Sequence, residues 1–479
     1  MGAESSLFHF KSYRLVVLLL LMFATYCTIT YRADLGIAIV CMVAPEAENR
    51  STLSTPPGEF HWTKSEQANL FSALFYGSLV TIGFSGTLAD RFGPKMLLLG
   101  SSVLYTLLTL LTPLLVYDYY LYLVARFAMG LADGVFFPCA ASLTARWFPP
   151  NERSTVASVY TSGNQIAASF GVVAASWMCK VSFMDGWKLI FYSFGAVGVV
   201  NLVLFAVFVQ NTPNQSKFIR ESEKIFLNVQ LSSQHSGLAL KKLSFKKIPW
   251  TSMLTSTAVF AVVIAQFSFN FVNTFLQSFL PSYFKDVLRL DLNENGWFSA
   301  MPFITQLIFK NVTAIAADSL KKRNILSTTA SCKILQSFAT FGTAIVLVVM
   351  AYFVNCNTQT LGLVLALFAG QISGGFTAAL CIAPAFTGTI SSLSTFVGVL
   401  GSILAPTIVG FVNKTGSIEE WRTIFLVAAG ISTVSGAIFL VFGSAEVQPW
   451  AKVERPQTVV VQSASLPNLQ EVERRRTHL

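Results

Sequence analysis

The sequence predicts an all-α membrane protein whose twelve transmembrane helices form two six-helix bundles. The chain is 53% hydrophobic and 12% charged, whereas soluble domains carry about 25% charged residues. Its apolar residues are grouped in runs of about 20, the length of a helix that crosses a bilayer. A long polar and basic segment at residues 211–250 separates six apolar runs from six others.

Short polar connections separate most of the predicted spans. The first run follows a polar start and lacks the small-residue cleavage site of a signal peptide, so we expect it to be retained as span 1. The spans begin near Leu15, Gln67, Met96, Tyr119, Thr155, Trp187, Met253, Trp297, Ile325, Leu361, Gly388 and Trp421. The layout predicts an N-terminal bundle at residues 1–210, a cytoplasmic linker at 211–250, a C-terminal bundle at 251–445 and a cytoplasmic tail at 446–479.

The positions of the 33 Lys and Arg residues predict that both termini are cytoplasmic. Most of them flank the spans on the side of the termini, where basic residues stay during insertion. The net charge of +10 is therefore an orientation signal, and no nucleic-acid partner is expected. Sequons at Asn49 and Asn413 fall outside in this topology and are predicted glycosylation sites. The membrane is expected to be the plasma membrane or a vesicular or lysosomal one.

The seven cysteines lie mostly in apolar runs, without a CxxC pair or a regular spacing. We predict that they are small buried apolar residues rather than a disulfide framework or a metal site. No span contains a nucleophile–base pair, a phosphate-binding glycine loop or a metal-ligand cluster. The sequence therefore predicts a protein that is not an enzyme and has no cofactor.

Arg126 and Asp133 are charged residues inside span 4, whose run is otherwise apolar over residues 119–143. A charge near the bilayer centre costs about 2.5–3.5 kcal/mol, so such residues usually face a cavity. Seven residues turn a helix through about 700°, which places the two on one face. They are about 10.5 Å apart along the axis, too far for a direct pair. Each therefore needs another partner.

A glycine-rich and charged motif, Gly86-Thr-Leu-Ala-Asp90-Arg91-Phe-Gly93-Pro-Lys95, joins spans 2 and 3. Its glycine permits close helix approach, and its basic residues hold the loop inside. The motif resembles the loop 2–3 signature of the major facilitator superfamily. This resemblance implies the major facilitator fold and a gating role for these five numbered residues, with the aspartate bracing the two halves. The alternative is a helix end followed by ordinary cytoplasmic basic residues.

Several further segments resemble one branch of that superfamily, the anion:cation symporters. This branch includes sodium–phosphate cotransporters, the sialic acid transporter and the vesicular glutamate transporters. The resembling segments are residues 32–40, 126–138, 147–153, 281–288, 294–302 and 446–451. The resemblance implies a secondary active transporter for an organic or inorganic anion, with H⁺ or Na⁺ as the transported coupling ion. The alternative is a receptor-like or scaffold member that retains the fold without moving substrate.

The resemblance also implies that Arg32, in span 1, faces the central cavity and binds the anion. Arg32 either ends span 1 at the outer interface or lies within it; we favour the second, because residues 35–44 stay apolar. A guanidinium group suits carboxylate or phosphate, so Arg32 and Arg126 are predicted substrate-binding residues. Asp133 and Asp34 are predicted ion-coupling residues. Alternatively, these carboxylates neutralise the arginines, with Arg32 pairing with Asp133 across the helices.

Span 7 carries an amide stripe, Gln266, Asn270, Asn273 and Gln277, whose members fall within about 60° on a helix. Spans 1, 4, 7 and 10 line the pathway in the resembling family. Gln266, Asn270 and Asn273 are therefore predicted substrate-binding residues. The alternative is that these amides only hold neighbouring helices together.

Some residues depart from the pattern of the family. No histidine lies in a span, which excludes proton coupling through histidine. Phe269 stands where vesicular glutamate transporters have an arginine, so glutamate specificity is not supported. Ala378 and Cys381, in span 10, stand where some relatives have polar residues. The chain ends in Thr477-His-Leu479, which predicts a PDZ partner by strand addition; the alternative is a basic tail near anionic lipid.

Overall fold

The computed structural model describes the helices of both predicted bundles. The described residues are 12–43, 58–149, 152–181, 183–237, 250–290, 292–322, 327–352, 387–446 and 448–451. Predicted span 10, the sequon at Asn49 and the C-terminal PDZ motif lie outside the described residues. So do the side chains of Gly86, Asp90 and Arg91 in the gating motif.

Within the described residues the chain is helical throughout its apolar runs. The helices are α1 (Tyr13–Met42), α2 (Lys64–Phe92), α3 (Pro94–Leu115), α4 (Tyr119–Trp147), α5 (Arg153–Ile166), α6 (Val172–Lys180), α7 (Trp187–Phe208), α8 (Glu221–Gly237), α9 (Trp250–Leu254), α10 (Thr257–Tyr283), α11 (Leu292–Lys322), α12 (Thr328–Tyr352), α13 (Thr387–Val412) and α14 (Ile418–Phe442). A π-helical turn, Ala167–Gly171, joins α5 to α6.

Nine of the described helices are long and apolar enough to cross a membrane. They correspond to predicted spans 1–4, 6, 7, 9, 11 and 12. Predicted span 5 is formed by α5, the π-helical turn and α6, and predicted span 8 is formed by α11. The borders of the four predicted units of the chain stay predictions.

Several helices begin where the sequence supplies a cap. Thr63 and Glu66 form a capping box at the start of α2, and Ser417 and Glu420 form another at the start of α14. The Asp118 side chain accepts hydrogen bonds from the first turn of α4. Such caps satisfy backbone N–H groups that have no partner inside the helix. All three helices begin at the end of the bundle that is predicted to lie outside.

The hydrophobic core is divided differently at the two ends of the molecule. Toward the predicted outer end, one cluster joins both halves and includes Phe71 of α2, Phe279 of α10 and Trp421 of α14. Toward the predicted inner end, the clusters are separate, one around Trp147 in the N-terminal half and one around Phe439 in the C-terminal half. The described parts of the two halves are therefore packed together outside and separate inside.

The main helix pairs between the described parts of the halves are α1 with α10, α2 with α13, and α6 with α11; α5 also contacts α11. The first pair is very close, since a Cβ atom at Gly36 of α1 would lie 3.0 Å from the carbonyl oxygen of Gln277 on α10. The second is close at Gly410 of α13, which faces Ala68 of α2. Small residues permit this approach where helices cross in a membrane.

A disulfide joins Cys41 of α1 to Cys179 of α6, so the prediction that the cysteines form no disulfide is wrong for this pair. The ends of the two helices meet at the predicted outer end, with Cα atoms 6.2 Å apart. Cysteine pairs at this separation can be bridged. The described cysteines Cys27, Cys139 and Cys332 are buried and form no disulfide, as predicted.

The first part of the predicted linker packs onto the N-terminal half. Arg14, which is fully buried, pairs through Nε with Glu223 of α8 at 3.0 Å and through Nη1 with Glu152 at 2.6 Å. The same Glu223 carboxylate accepts from the backbone N–H of Tyr13 at the start of α1. Helix α8 is thereby attached to the N-terminal bundle by a buried ionic cluster.

Candidate functional site

Arg32 lies on α1 at the boundary between the two halves. Its Nη2 atom donates a hydrogen bond to Oε1 of Gln277 on α10 at 3.1 Å. Its guanidinium carbon lies 5.6 Å from the centre of the Phe75 ring on α2. Because α1 continues to Met42, Arg32 lies within the helix rather than at its end. No described carboxylate forms an ion pair with it.

Arg126 lies on α4 with its side chain buried inside the N-terminal half. Nε donates to the carbonyl oxygen of Leu70 on α2 and Nη1 to that of Tyr31 on α1, both at 3.3 Å. Nη2 is buried without a hydrogen-bond partner. The arginine thus connects α1, α2 and α4. In this conformation Arg32 faces α10 and Arg126 does not. That both arginines bind the same substrate therefore stays a prediction.

Asp133 lies on α4, two turns after Arg126. Its Oδ2 atom accepts a hydrogen bond from the Ser78 hydroxyl of α2 at 2.8 Å, while Oδ1 is buried without a partner. Neither arginine forms an ion pair with this carboxylate in the described part of the chain, which removes the alternative of an Arg32–Asp133 pair for this conformation. The partner that the sequence left open for Asp133 is a hydroxyl group.

Asp34 lies on α1 and is also fully buried. Both of its carboxylate oxygens lack a hydrogen-bond partner. Arg126 is close enough to act on it electrostatically, but the two form no ion pair. A buried carboxylate without a partner is costly, and such groups often have a role in function. Asp34 thus keeps its predicted place beside Asp133 as a candidate for ion coupling.

The members of the amide stripe on α10 have different surroundings. Gln277 accepts from Arg32 and donates to Oδ1 of Asn164 on α5 at 3.1 Å. Asn270 donates to the carbonyl oxygen of Gln266 on its own helix, and both lie beside Gly398 of α13. Oδ1 of Asn273 is buried without a partner. Only Gln277, which was not among the predicted substrate-binding residues, contacts the N-terminal half through a described hydrogen bond.

Phe269 faces away from this boundary. It lines a crevice between α10, α12 and α14, together with Ser268, Gln336 and Thr340. No charged side chain lines this crevice, and none of the predicted site residues does.

Gly93 and Lys95, the described residues of the loop 2–3 motif, contact residues at the C-terminal end of α7. Gly93 has a φ of +84°, and a Cβ atom there would meet the Asn211 side chain. The Lys95 ammonium donates to the carbonyl oxygen of Ala206 and to Oε1 of Gln210, both at 3.0 Å. In this conformation both residues connect α3 with the end of α7 and make no described contact with the other half.

Asn413, a predicted glycosylation site, is 2% exposed and its Oδ1 atom is buried without a partner. An acceptor amide must reach the solvent, so this conformation does not support a sugar at Asn413.

Two consecutive residues close the predicted outer end. Lys285 donates to the carbonyl oxygens of Val40 at 2.7 Å and Val43 at 3.3 Å, at the end of α1. Asp286 pairs with Lys64 at the start of α2 at 2.5 Å. Both belong to a π-helical turn, Phe284–Leu288, that follows α10. A cation suits the C-terminal end of a helix. We call these contacts the outer latch.

Sequence reasoning missed several polar residues of this region. Asn164 and Gln165 follow Thr161, Ser162 and Gly163 as a polar group inside predicted span 5, a signal comparable to the amide stripe. Ser78 and Tyr105 gave no such signal, because single hydroxyl groups are common in spans. Only their position beside Asp133 and Arg126 singles them out.

Two helical halves that are packed at one end and separate at the other, with a half-buried arginine at their boundary that pairs with no described carboxylate, are typical of a membrane transporter. The family model described as "Major Facilitator Superfamily" matches residues 18–406. The chain belongs to the major facilitator superfamily.

Curated relatives lie in the anion:cation symporter branch. The chain is 33% identical to the "Uncharacterized transporter slc-17.3" of Caenorhabditis elegans, over 95% of this chain and 93% of that protein. It is 29% identical to human sialin, with 90% of each chain covered. It is 28% identical to the mouse "Sodium-dependent phosphate transport protein 3", over 92% of this chain and 96% of that one.

Solved structures support the fold. The crystal structure of a D-xylose–proton symporter superposes with a TM-score of 0.67 at 14% sequence identity, covering 91% of this chain and 99% of that chain. At this identity the similarity concerns the fold alone. It confirms the predicted two-bundle major facilitator architecture.

Proposed function

We propose that this protein moves a small anion across a membrane by alternating access, with H⁺ or Na⁺ as the coupling ion. The observation that carries the proposal is Arg32, a guanidinium group at the boundary of the two halves that has no carboxylate partner. A guanidinium suits a carboxylate or a phosphate. Relatives named for phosphate and glutamate transport point to the same class of substrate.

The distribution of contacts supports the transport cycle. The halves share one hydrophobic core and the outer latch at one end and have separate cores at the other. Rocking of the halves would break the first set of contacts and expose Arg32 to the opposite side. The described conformation then corresponds to the inward-facing state.

The two buried carboxylates support coupling. Asp133 keeps one oxygen without a partner, and Asp34 keeps both. Binding of a proton would remove a buried charge, and binding of Na⁺ would compensate one. Arg126 lies near Asp34, so the charge of this group would affect the arginine that ties α1 to α4. We infer that Asp133, supported by Asp34, couples the ion to the conformational change.

The disulfide supports the predicted orientation. Disulfides persist in oxidising compartments, and Cys41–Cys179 lies at the end of the bundle where α1 ends. That end would face the cell exterior or a vesicle lumen, which leaves both termini in the cytoplasm. The plasma membrane and a vesicular or lysosomal membrane both fit this orientation. A PDZ partner at Thr477–Leu479 remains part of the proposal, as an independent property of the tail.

Uptake into proteoliposomes tests the proposal. Radiolabelled inorganic phosphate, glutamate and a sialic acid are offered under imposed H⁺ and Na⁺ gradients. We expect accumulation of at least one anion that is lost in Arg32→Ala, while Lys188→Ala, a matched cation at the protein surface, transports normally. Binding of an anion without uptake under either gradient would favour the receptor-like alternative. Absence of both binding and uptake would contradict the proposal.

A further inference from the structure

We propose that Gln277 competes with the transported anion for Arg32 and so promotes release of the anion on the inner side, with Asn164 as the residue that positions Gln277. The inference rests on the proposed function and concerns the same site. It adds two residues to that site, one from each half of the molecule, and gives each a distinct task.

The three side chains form a continuous chain of hydrogen bonds across the two halves. Nη2 of Arg32 donates to Oε1 of Gln277, and Nε2 of Gln277 donates to Oδ1 of Asn164, each at 3.1 Å. Arg32 and Asn164 belong to α1 and α5 of the N-terminal half, whereas Gln277 belongs to α10 of the C-terminal half. Gln277 is thus held from both sides by the opposite half.

This contact depends on the state of the transporter. One turn after Arg32, Gly36 allows α1 to pack against the backbone of Gln277 and Ser278. A Cβ atom at Gly36 would lie only 3.0 Å and 3.1 Å from the carbonyl oxygens of these two residues. The outer latch closes the same two helices further along. When the halves part on the outer side, Gln277 must move away from Arg32. The guanidinium then loses this acceptor while it faces the outside.

The chemistry of an amide suits such a competitor. Its oxygen accepts a hydrogen bond from the guanidinium, as an oxygen of a carboxylate or phosphate would, but it carries no charge. In the outward-facing state an anion binds Arg32 without competition. In the inward-facing state Gln277 occupies some of the N–H donors of the Arg32 guanidinium group. This contact weakens the binding of the anion and favours its release. A glutamate at this position would instead hold Arg32 in an ion pair throughout the inward-facing state.

Asn164 has a positioning role. A glutamine amide can turn and present either its oxygen or its NH₂ group, and the NH₂ group would repel the guanidinium. Because Oδ1 of Asn164 accepts from Nε2 of Gln277, the Gln277 oxygen is directed toward Arg32. Loss of Asn164 should therefore act only through Gln277.

The test measures anion affinity at the inner face, in inside-out vesicles, for whichever of labelled phosphate, glutamate and a sialic acid is transported. We expect Gln277→Leu to bind the anion roughly tenfold more tightly, the effect of one hydrogen bond to a charged group. In the transport direction that releases the anion at the inner face, KM and the maximal rate should fall together, since release becomes slower. Gln277→Glu should weaken binding by roughly tenfold or more. Asn164→Ala should resemble Gln277→Leu and have no further effect in its presence.

Matched variants make the outcome specific. Gln336→Leu removes another buried amide from the C-terminal half, away from Arg32, and should leave affinity and rate unchanged. Arg32→Ala should abolish binding in every background. If the wild type transports an anion but Gln277→Leu leaves its affinity unchanged, the competition does not exist and the proposed function stands. If the wild type neither binds nor moves any of the anions, the proposed function fails and the competition fails with it.

Discussion

At the scale of single residues, replacement of Asp133 tests whether ion coupling is separate from substrate binding. Its carboxylate contacts the Ser78 hydroxyl and neither arginine. We predict that Asp133→Asn abolishes gradient-driven accumulation while anion exchange continues, because an amide keeps the contact with Ser78 but cannot change its charge. Ser78→Ala is the control for the lost hydrogen bond and should retain accumulation. Concentrative uptake by Asp133→Asn at the wild-type level would remove Asp133 from the mechanism.

Replacing Arg32 and Arg126 by leucine is expected to have different effects on stability and on anion binding. Arg126→Leu should lower the thermal stability of the protein in detergent, because Leu70 and Tyr31 lose a charged donor worth about 1.5–3 kcal/mol per hydrogen bond. Arg32→Leu should leave the melting temperature nearly unchanged and abolish anion binding. Equal melting temperatures for the two variants would contradict the structural role of Arg126.

At the scale of helices, close packing of α2 on α4 depends on glycine. A Cβ atom at Gly130 would overlap the carbonyl oxygen of Leu74, and one at Gly77 would overlap that of Phe127. We expect Gly130→Ala to destabilise the protein by about 1–3 kcal/mol, since inserted atoms force the backbones apart. Gly100→Ala on α3, where a Cβ atom would meet nothing within 4 Å, is the matched control. Thermal unfolding of both variants in detergent checks this prediction.

The outer latch is the second prediction at this scale. Replacing Lys285 by methionine removes the donor to Val40 and Val43 and should favour opening of the predicted outer end. Phe71 packs against Phe279 across the halves. In a Phe71→Cys background, the rate of labelling by a membrane-impermeant thiol reagent reports this opening. We expect labelling several-fold faster than without the latch substitution.

A matched control for the latch is available on the same side of the molecule. Lys188 pairs with Asp185 at 2.5 Å, three residues away in the N-terminal half. Lys188→Met therefore removes a lysine that does not join the halves, and labelling of Phe71→Cys should not change. Acceleration by both variants would point to a general loss of stability instead of a latch.

At the scale of the whole molecule, the disulfide provides a test of orientation. Cys179→Ser frees Cys41, which is partly exposed. We expect an impermeant maleimide to label Cys41 from the exterior of intact cells, or from the lumen if the protein is vesicular. A cysteine placed at Lys224 on α8 should react only from the cytoplasmic side. Labelling of both from one side would contradict the predicted topology.

Much of the fold follows from the sequence because span length and charge position are local properties. The starts of α4 and α7 agree with the predicted Tyr119 and Trp187, since Asp118 and Gly186 precede the apolar runs. The partners of the buried charges are not local. Residues 32, 164 and 277 meet in the structure. Their spacing in the sequence does not indicate this contact, because it reflects only the lengths of the helices and loops between them.

The sequence by itself determined that this protein is an all-helical transporter of the major facilitator superfamily with charged residues inside its spans. Hydropathy, the positions of Lys and Arg, and the loop 2–3 motif act along the chain and can be read from it. Only the tertiary structure decided that Arg32 faces Gln277, that Arg126 binds backbone carbonyls and that Cys41 meets Cys179. These outcomes depend on how helices pack side by side, which is set by small residues and shape over the whole bundle.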